Sequence, residues 1–194
     1  MELKSYFECF DIFTSGEIDY AISLFSKRKL NKGDYFIQEG QKCSEVAFVQ
    51  KGIFRSFYAS QSGDEITYCF RFPNELIAAY SSFITGNPSV ENLQALSPAE
   101  LLIIQQKDID LLVKENPKWV TFLRIIAEQN YLELETRVFQ LQRDSAQERY
   151  QNMLKKQPQY IQQIPLQYLA SYLGITQRHL SRIRKQLVFE TNVL

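Results

Sequence analysis

Histidine occurs once in the 194 residues, at His179, and cysteine three times, at Cys9, Cys43 and Cys69. These scarcities exclude several kinds of chemistry. Metal-dependent β-barrel enzymes of the cupin type need clustered histidine and carboxylate ligands, which a single imidazole cannot supply. That imidazole also lies far in sequence from the β-rich part of the chain, so no Ser/His/Asp or Cys/His set can be assembled there. Enzymatic activity is not expected. The cysteines are odd in number, widely spaced and without a Cys-x-x-Cys pair, which argues against a zinc site or a cysteine-held iron–sulfur cluster. They predict free, partly buried thiols in a reducing compartment. Redox sensing through Cys43 or Cys69 is a weak alternative, because neither shows an adjacent cationic environment strong enough to claim a lowered thiol pKa. Long apolar runs are missing too: none approaches the length that spans a bilayer. Glu2, Glu8 and Asp11 interrupt the N-terminal apolar residues, unlike a secretory signal. The expectation is a cytoplasmic protein with no membrane contact, no metal and no cofactor.

Net charge is likewise absent, with 22 Lys/Arg against 22 Asp/Glu. The distribution is uneven, however. From Ser145 onward the chain carries Arg149, Lys155, Lys156, Arg178, Arg182, Arg184 and Lys185 against only Glu148 and Glu190. An acidic body with a basic terminal segment suits a protein that presents one end to phosphate.

The basic segment contains the most informative stretch, IPLQYLASYLGITQRHLSRIRKQL. Pro165 suits a first helical turn, where its missing N–H costs nothing. Leu166, Leu169, Ala170 and Leu173 follow at the spacing of one buried face. Gly174 supplies the left-handed residue that ends a helix, and Thr176 can cap the next by accepting from a free N–H. Leu180, Ile183 and Leu187 bury that second helix, leaving Gln177, Arg178, His179, Ser181, Arg182 and Lys185 mostly outside. A small residue at the crossing, a glycine in the turn and a cationic outer face predict a DNA-reading helix-turn-helix. An ordinary αα-hairpin with a solvated basic face would show the same apolar spacing.

Upstream, residues 5–28 read as amphipathic helix around a break at Ser15-Gly16. Residues 30–104 change to short β-rich runs at 35–38, 46–50, 54–58, 65–72 and 101–104, separated by turn signals such as Lys32-Gly33-Asp34, Lys51-Gly52 and Ser62-Gly63-Asp64. Their interval fits an antiparallel sandwich or roll. Between Pro117 and Arg143 glycine and further proline are absent, and the pattern is one long helix. Leu123, Ala127, Asn130, Leu134 and Leu141 follow a near-heptad seam with Arg137 at an intervening position; Phe122, Ile125, Ile126, Leu132 and Phe139 form a second apolar edge. A helix with two such edges needs two surfaces, one of them most simply a second copy of itself. Ser145-Ala146-Gln147-Glu148 is a capping box that restarts a helix after Asp144, and the Gln157-Pro158 step ends it.

In this order the segments resemble the CRP/FNR family of bacterial transcription regulators. LNKGDYFIQEGQKCSEVAFVQKGIFRSFY resembles the opening of the family's β-roll, ENPKWVTFLRIIAEQNYLELETRVFQL its dimerisation helix, and GITQRHLSRIRKQL its recognition helix. The resemblance implies an α+β chain. It would comprise an antiparallel cyclic-nucleotide-binding-like β-roll sensor with N-terminal helices over residues 1–116, a dimerisation helix over 117–143 and a helix-turn-helix over 144–194. The second would join two copies into a homodimer. Only residues 188–194 follow the recognition helix, so a full wing is not expected. The resemblance further implies double-stranded DNA with an inverted-repeat operator, and RNA polymerase, as partners. It places Thr176, Gln177, Arg178 and Arg182 against bases, with Arg182 foremost. Ser181, Arg184 and Lys185 fall to phosphate or solvent, and His179 to the backbone.

The family's cyclic-nucleotide cassette uses a Gly-Glu pair and an Arg-Ser pair; counting back from Leu93-Gln94-Ala95, these fall on Ala78-Ala79 and Ser89-Val90. The hydroxyl pair on the long helix falls on Leu134 and Glu135. The charged groups are absent, so cyclic AMP is not the expected effector. A pocket relined by Ala79, Tyr80, Ser82, Ser89 and Leu134 for a less anionic ligand, or filled by its own side chains, fits as well. The competing reading, a cyclic-nucleotide or other small-ligand module acting through protein partners, leaves the helix-turn-helix without a role.

Overall fold

A computed structural model describes the backbone of residues 2–191 and the side chains of residues 2–187. It begins with two short helices, α1 (Leu3–Glu8) and α2 (Ser15–Ser23). The break between them differs from the expected one. Thr14 caps α2 in a full capping box with Glu17, so the chain breaks over residues 9–14, with Asp11 at φ 53°, and Gly16 lies inside the new helix. Helix α2 stops at Ser23, short of the expected residue 28, because residues 26–28 belong to a strand.

Eight strands follow: β1 (Ser26–Leu30), β2 (Tyr35–Ile37), β3 (Glu45–Lys51), β4 (Phe54–Ala59), β5 (Glu65–Arg71), β6 (Leu76–Ile77), β7 (Asn92–Ala95) and β8 (Ala99–Gln105). They form two four-stranded sheets, ordered β1-β8-β3-β6 and β2-β7-β4-β5. The five runs read from sequence correspond to β2, β3, β4, β5 and β8. The other three are harder to read: β7 (Asn-Leu-Gln-Ala) alternates over only four residues, β6 is two residues long, and β1 reads Ser-Lys-Arg-Lys-Leu and is held by pairing along its whole length with β8. Phe36, Ile37, Ala47, Val49, Phe54, Ile77, Leu93, Leu101 and Ile103 meet as the core contributed by both sheets. Gly52 makes the tight β3–β4 turn at φ 101°, where an added Cβ would lie 2.6 Å from the Cβ of Ala99. Only glycine fits both the backbone angle and the space.

Helix α3 (Tyr80–Thr85) interrupts the strands, and α4 (Gln106–Glu115) leaves β8. Then comes α5 (Lys118–Arg143), 26 residues long, as the glycine-free pattern predicts. Its first turns close a second core with the N-terminal helices. Phe7 and Phe13 pack on Trp119 with ring centroids 5.4 and 4.2 Å away, and Phe10 meets Phe122 at 5.0 Å. A polar clasp fixes the same junction: Asn116 donates to Glu17 at 2.7 Å and Lys118 at 2.9 Å.

The remaining helices are α6 (Ala146–Lys156), α7 (Pro158–Gln163), α8 (Leu166–Tyr172) and α9 (Gln177–Thr191). Ser145 and Glu148 form the expected capping box on α6, so the long helix does stop at Asp144. The expected absence of a wing falls on residues 188–194; helix α9 continues through Thr191, and residues 192–194 lie outside the described residues.

By contact density the chain divides into two compact units. One holds residues up to Ala59 together with Cys69–Glu128; the other holds Ser60–Tyr68 together with residues from Gln129 on. The boundary therefore falls within β5 and within α5. Cys43 and Cys69 are buried and Cys9 is exposed, none of the three in a disulfide, and burial pushes the Cys43 thiol up.

Candidate nucleic-acid interface

Pro165 stands one position earlier than its sequence suggests, as the N-cap of α8 at ψ 140° rather than in its first turn. Leu169, Ala170 and Leu173 are buried with Leu180 and Ile183 of α9, while Leu166 is half-buried. This apolar seam holds the two helices together. The turn between them is a Schellman motif. Ile175 N–H donates to Ala170 O and Gly174 N–H to Ser171 O, both at 3.0 Å, with Gly174 at φ 68°. These bonds satisfy carbonyls that the helix end would otherwise leave unpaired. The Thr176 hydroxyl then accepts from His179 N–H at 3.2 Å, capping α9.

Two arginines brace the same turn from neighbouring helices. Arg137 donates to Tyr172 O and stacks over the Tyr172 ring, with its guanidinium carbon 3.8 Å from the centroid. Arg149 donates to Leu173 O at 3.0 Å. Arg137, which the heptad pattern places beside the seam of α5, thus grips the C-terminal end of α8, where a cation also complements the helix dipole. Sequence pattern misses this role because it depends on a contact 35 residues away.

On this frame Thr176, Gln177, Arg178, Arg182, Arg184 and Lys185 are exposed, whereas His179 and Ser181 are half-buried. Among the described residues, none of Arg178, Arg182, Arg184 and Lys185 takes part in an ion pair. Four solvated cations on one short helix, with no carboxylate in its first turn, form a surface that attracts phosphate. Their donors also match the acceptor edges of guanine, and the Gln177 amide matches adenine.

The candidate effector positions divide between the units. Ala78, Ala79, Tyr80, Ser82, Ser89 and Val90 belong to the first; Leu134 and Glu135, on the later part of α5, belong to the second. Ala79 is wholly buried in the core. The Ser82 hydroxyl donates to Asn87 O and accepts from Cys43 N–H at 3.0 Å, and that of Ser89 donates to Glu91 O at 2.8 Å and accepts from Glu91 N–H. Both hydroxyls are occupied in fixing the backbone between α3 and β7. Ala78 is half-buried, whereas Tyr80 and Val90 are exposed. Leu134 is exposed, and Glu135 accepts from the Tyr131 hydroxyl at 3.1 Å.

One charged residue of the roll escapes sequence reading. Arg55 in β4 is 1% exposed, its guanidinium 4.1 Å from the Phe57 ring centroid, and Glu91 is buried too. Within Phe-Arg-Ser-Phe-Tyr nothing distinguishes Arg55 from a solvated strand residue; only the fold reveals its burial.

Comparison with known proteins agrees with this geometry. Residues 27–116 match the cyclic nucleotide-binding domain family. Among solved structures, the chain is similar to FixK2 from Bradyrhizobium japonicum, with a TM-score of 0.77, 16% identity and 86% of each chain covered. It is similar to CLP, the c-di-GMP-responsive global regulator of Xanthomonas campestris, with a TM-score of 0.74, 16% identity, and 92% of this chain and 93% of that one covered. The catabolite activator protein of Thermus thermophilus gives a TM-score of 0.59 at 22% identity, covering 92% of this chain and 85% of that one. No curated protein sequence matches significantly. The fold is that of the CRP/FNR transcription regulators.

Proposed function

We propose that the chain is a homodimeric, sequence-specific DNA-binding transcription regulator of the CRP/FNR type. Its parts are a sensor roll (1–116), a dimerisation helix (117–143) and a DNA reader (144–194), acting in the cytoplasm with RNA polymerase as a further partner. The observation that carries the reading is α9: a helix capped at Thr176, buried through Leu180 and Ile183, and presenting outward Arg178, Arg182, Arg184 and Lys185, which have no ion-pair partner among the described residues. Its first two turns supply base contacts through Gln177, Arg178 and Arg182. Arg184 and Lys185 supply phosphate contacts that set affinity and salt dependence. Dimerisation is supported by the exposed apolar residues of α5, among them Val120, Leu123, Leu134, Val138 and Leu141.

The effector is not cyclic AMP. The cassette positions hold no cation, and the hydroxyls of Ser82 and Ser89 are engaged. Titration calorimetry with cyclic AMP is expected to show no micromolar binding; such binding would refute this part.

The test is selection of bound sequences from random duplex DNA. A dimeric reader enriches an inverted repeat with half-site centres about 34–36 Å apart, one helical turn. Failure to retain any duplex over the unselected pool overturns the reading.

A further inference from the structure

The tip of the β4–β5 hairpin, Ser60–Tyr68, shares a compact unit with the helix-turn-helix. The Ser171 side chain takes part in this connection. The Ser171 hydroxyl, on α8, accepts from Thr67 N–H and donates to Glu65 O, both at 2.9 Å. Glu65 and Thr67 are two apart on β5, so this amide and this carbonyl lie on the same side of the strand. β5 is the last strand of its sheet, and an edge strand offers such groups to whatever comes next. Here the Ser171 hydroxyl stands where a further strand would pair.

We propose that Ser171 is a positioning residue, tethering the DNA reader to strand β5 so that the strand sets the reader's orientation. The inference rests on the DNA-binding reading above. Its force comes from what lies on either side of the hydroxyl. Beyond Tyr68 the same strand runs on through Cys69 and Phe70, both buried, as part of the other unit. A shift of the roll along β5 therefore reaches Thr67 without a flexible linker between. On the reader side, Ser171 O accepts from Gly174 N–H, and the next two carbonyls are held by Arg137 and Arg149. The Schellman turn and the Thr176 cap follow within five residues. A displacement at Ser171 thus passes through this hydrogen-bonded turn to the start of α9.

The test compares the full-length wild type with Ser171→Ala and Ser171→Thr, the latter keeping a hydroxyl. Residue-resolved amide exchange should show Thr67 exchanging at least tenfold faster in Ser171→Ala and near wild type in Ser171→Thr. Leu180 N–H, bonded to Thr176 O, should stay protected in all three. On DNA, affinity for a duplex with one half-site should change less than twofold. Preference for the selected inverted repeat over one lengthened by a base pair should narrow at least threefold in Ser171→Ala. Unchanged exchange at Thr67 overturns the tether. Unchanged spacing preference, or an equal loss on single and paired half-sites, overturns the positioning role. If the wild type retains no duplex, the DNA-binding reading falls, and exchange at Thr67 alone decides whether the tether exists.

Discussion

Single residues carry much of the local specification, and two glycines show how differently. Gly174 sits at φ 68° with space around it: an added Cβ would meet only Leu141 Cδ2, at an ordinary 3.5 Å. Gly174→Ala therefore costs the left-handed penalty alone, roughly 1–2 kcal/mol, and thermal unfolding should register a modest loss. Gly52→Ala meets the same kind of penalty at φ 101°, and its Cβ would also lie 2.8 Å from the Ala99 Cα. Overpacking against backbone adds roughly 1–3 kcal/mol, so Gly52→Ala should be clearly the more destabilising of the two. Both glycines were legible as turn signals in the sequence; the collision with Ala99 was not, because it depends on the β3–β8 register. Arg55 is the same lesson in reverse, a cation whose burial no local pattern announces.

At the scale of elements, legibility followed the caps. Helices α5, α6, α8 and α9 could be read because their start and stop signals are local: the absence of glycine, the Ser145–Glu148 box, Gly174 and Thr176. The α1–α2 break was misplaced because Thr14–Glu17 is also a capping box, overlooked beside the more conspicuous Ser15-Gly16. Glu17 has a second task there. The Thr14 backbone N–H, then Lys118, the Thr14 hydroxyl and Asn116 hold its carboxyl down at about 2, from an ordinary 4.5. A depressed pKa stabilises the fold fully above the ordinary value, and that stabilisation is lost as pH falls from about 4.5 through about 2. Glu17→Gln should destabilise at neutral pH and flatten the fall in stability across that window, as chemical denaturation at stepped pH would show. An equal slope in both proteins would assign the acid sensitivity to other carboxylates.

For the whole molecule, the order of parts was readable from sequence because a β-rich run, a long helix and a helix-turn-helix follow one another with little between. The partition of the hairpin tip with the reader was not readable, since it depends on Ser171 meeting a strand more than a hundred residues earlier. Dimerisation belongs to this scale. Leu134 is exposed on the α5 seam, so Leu134→Glu should bring two like charges together across the seam. Sedimentation should then shift from twice the chain mass toward one, and a variant sedimenting as the wild type would place the contact elsewhere. The central claim, that α9 reads bases, is tested most directly by base-preference profiles of Arg182→Ala and Lys185→Ala on the selected operator, with affinity followed against salt. The account predicts that Arg182→Ala loses about 1–3 kcal/mol of preference at one base position. Lys185→Ala should weaken all sequences alike and make the salt slope shallower by about one unit. Profiles and slopes identical to the wild type in both variants would contradict it.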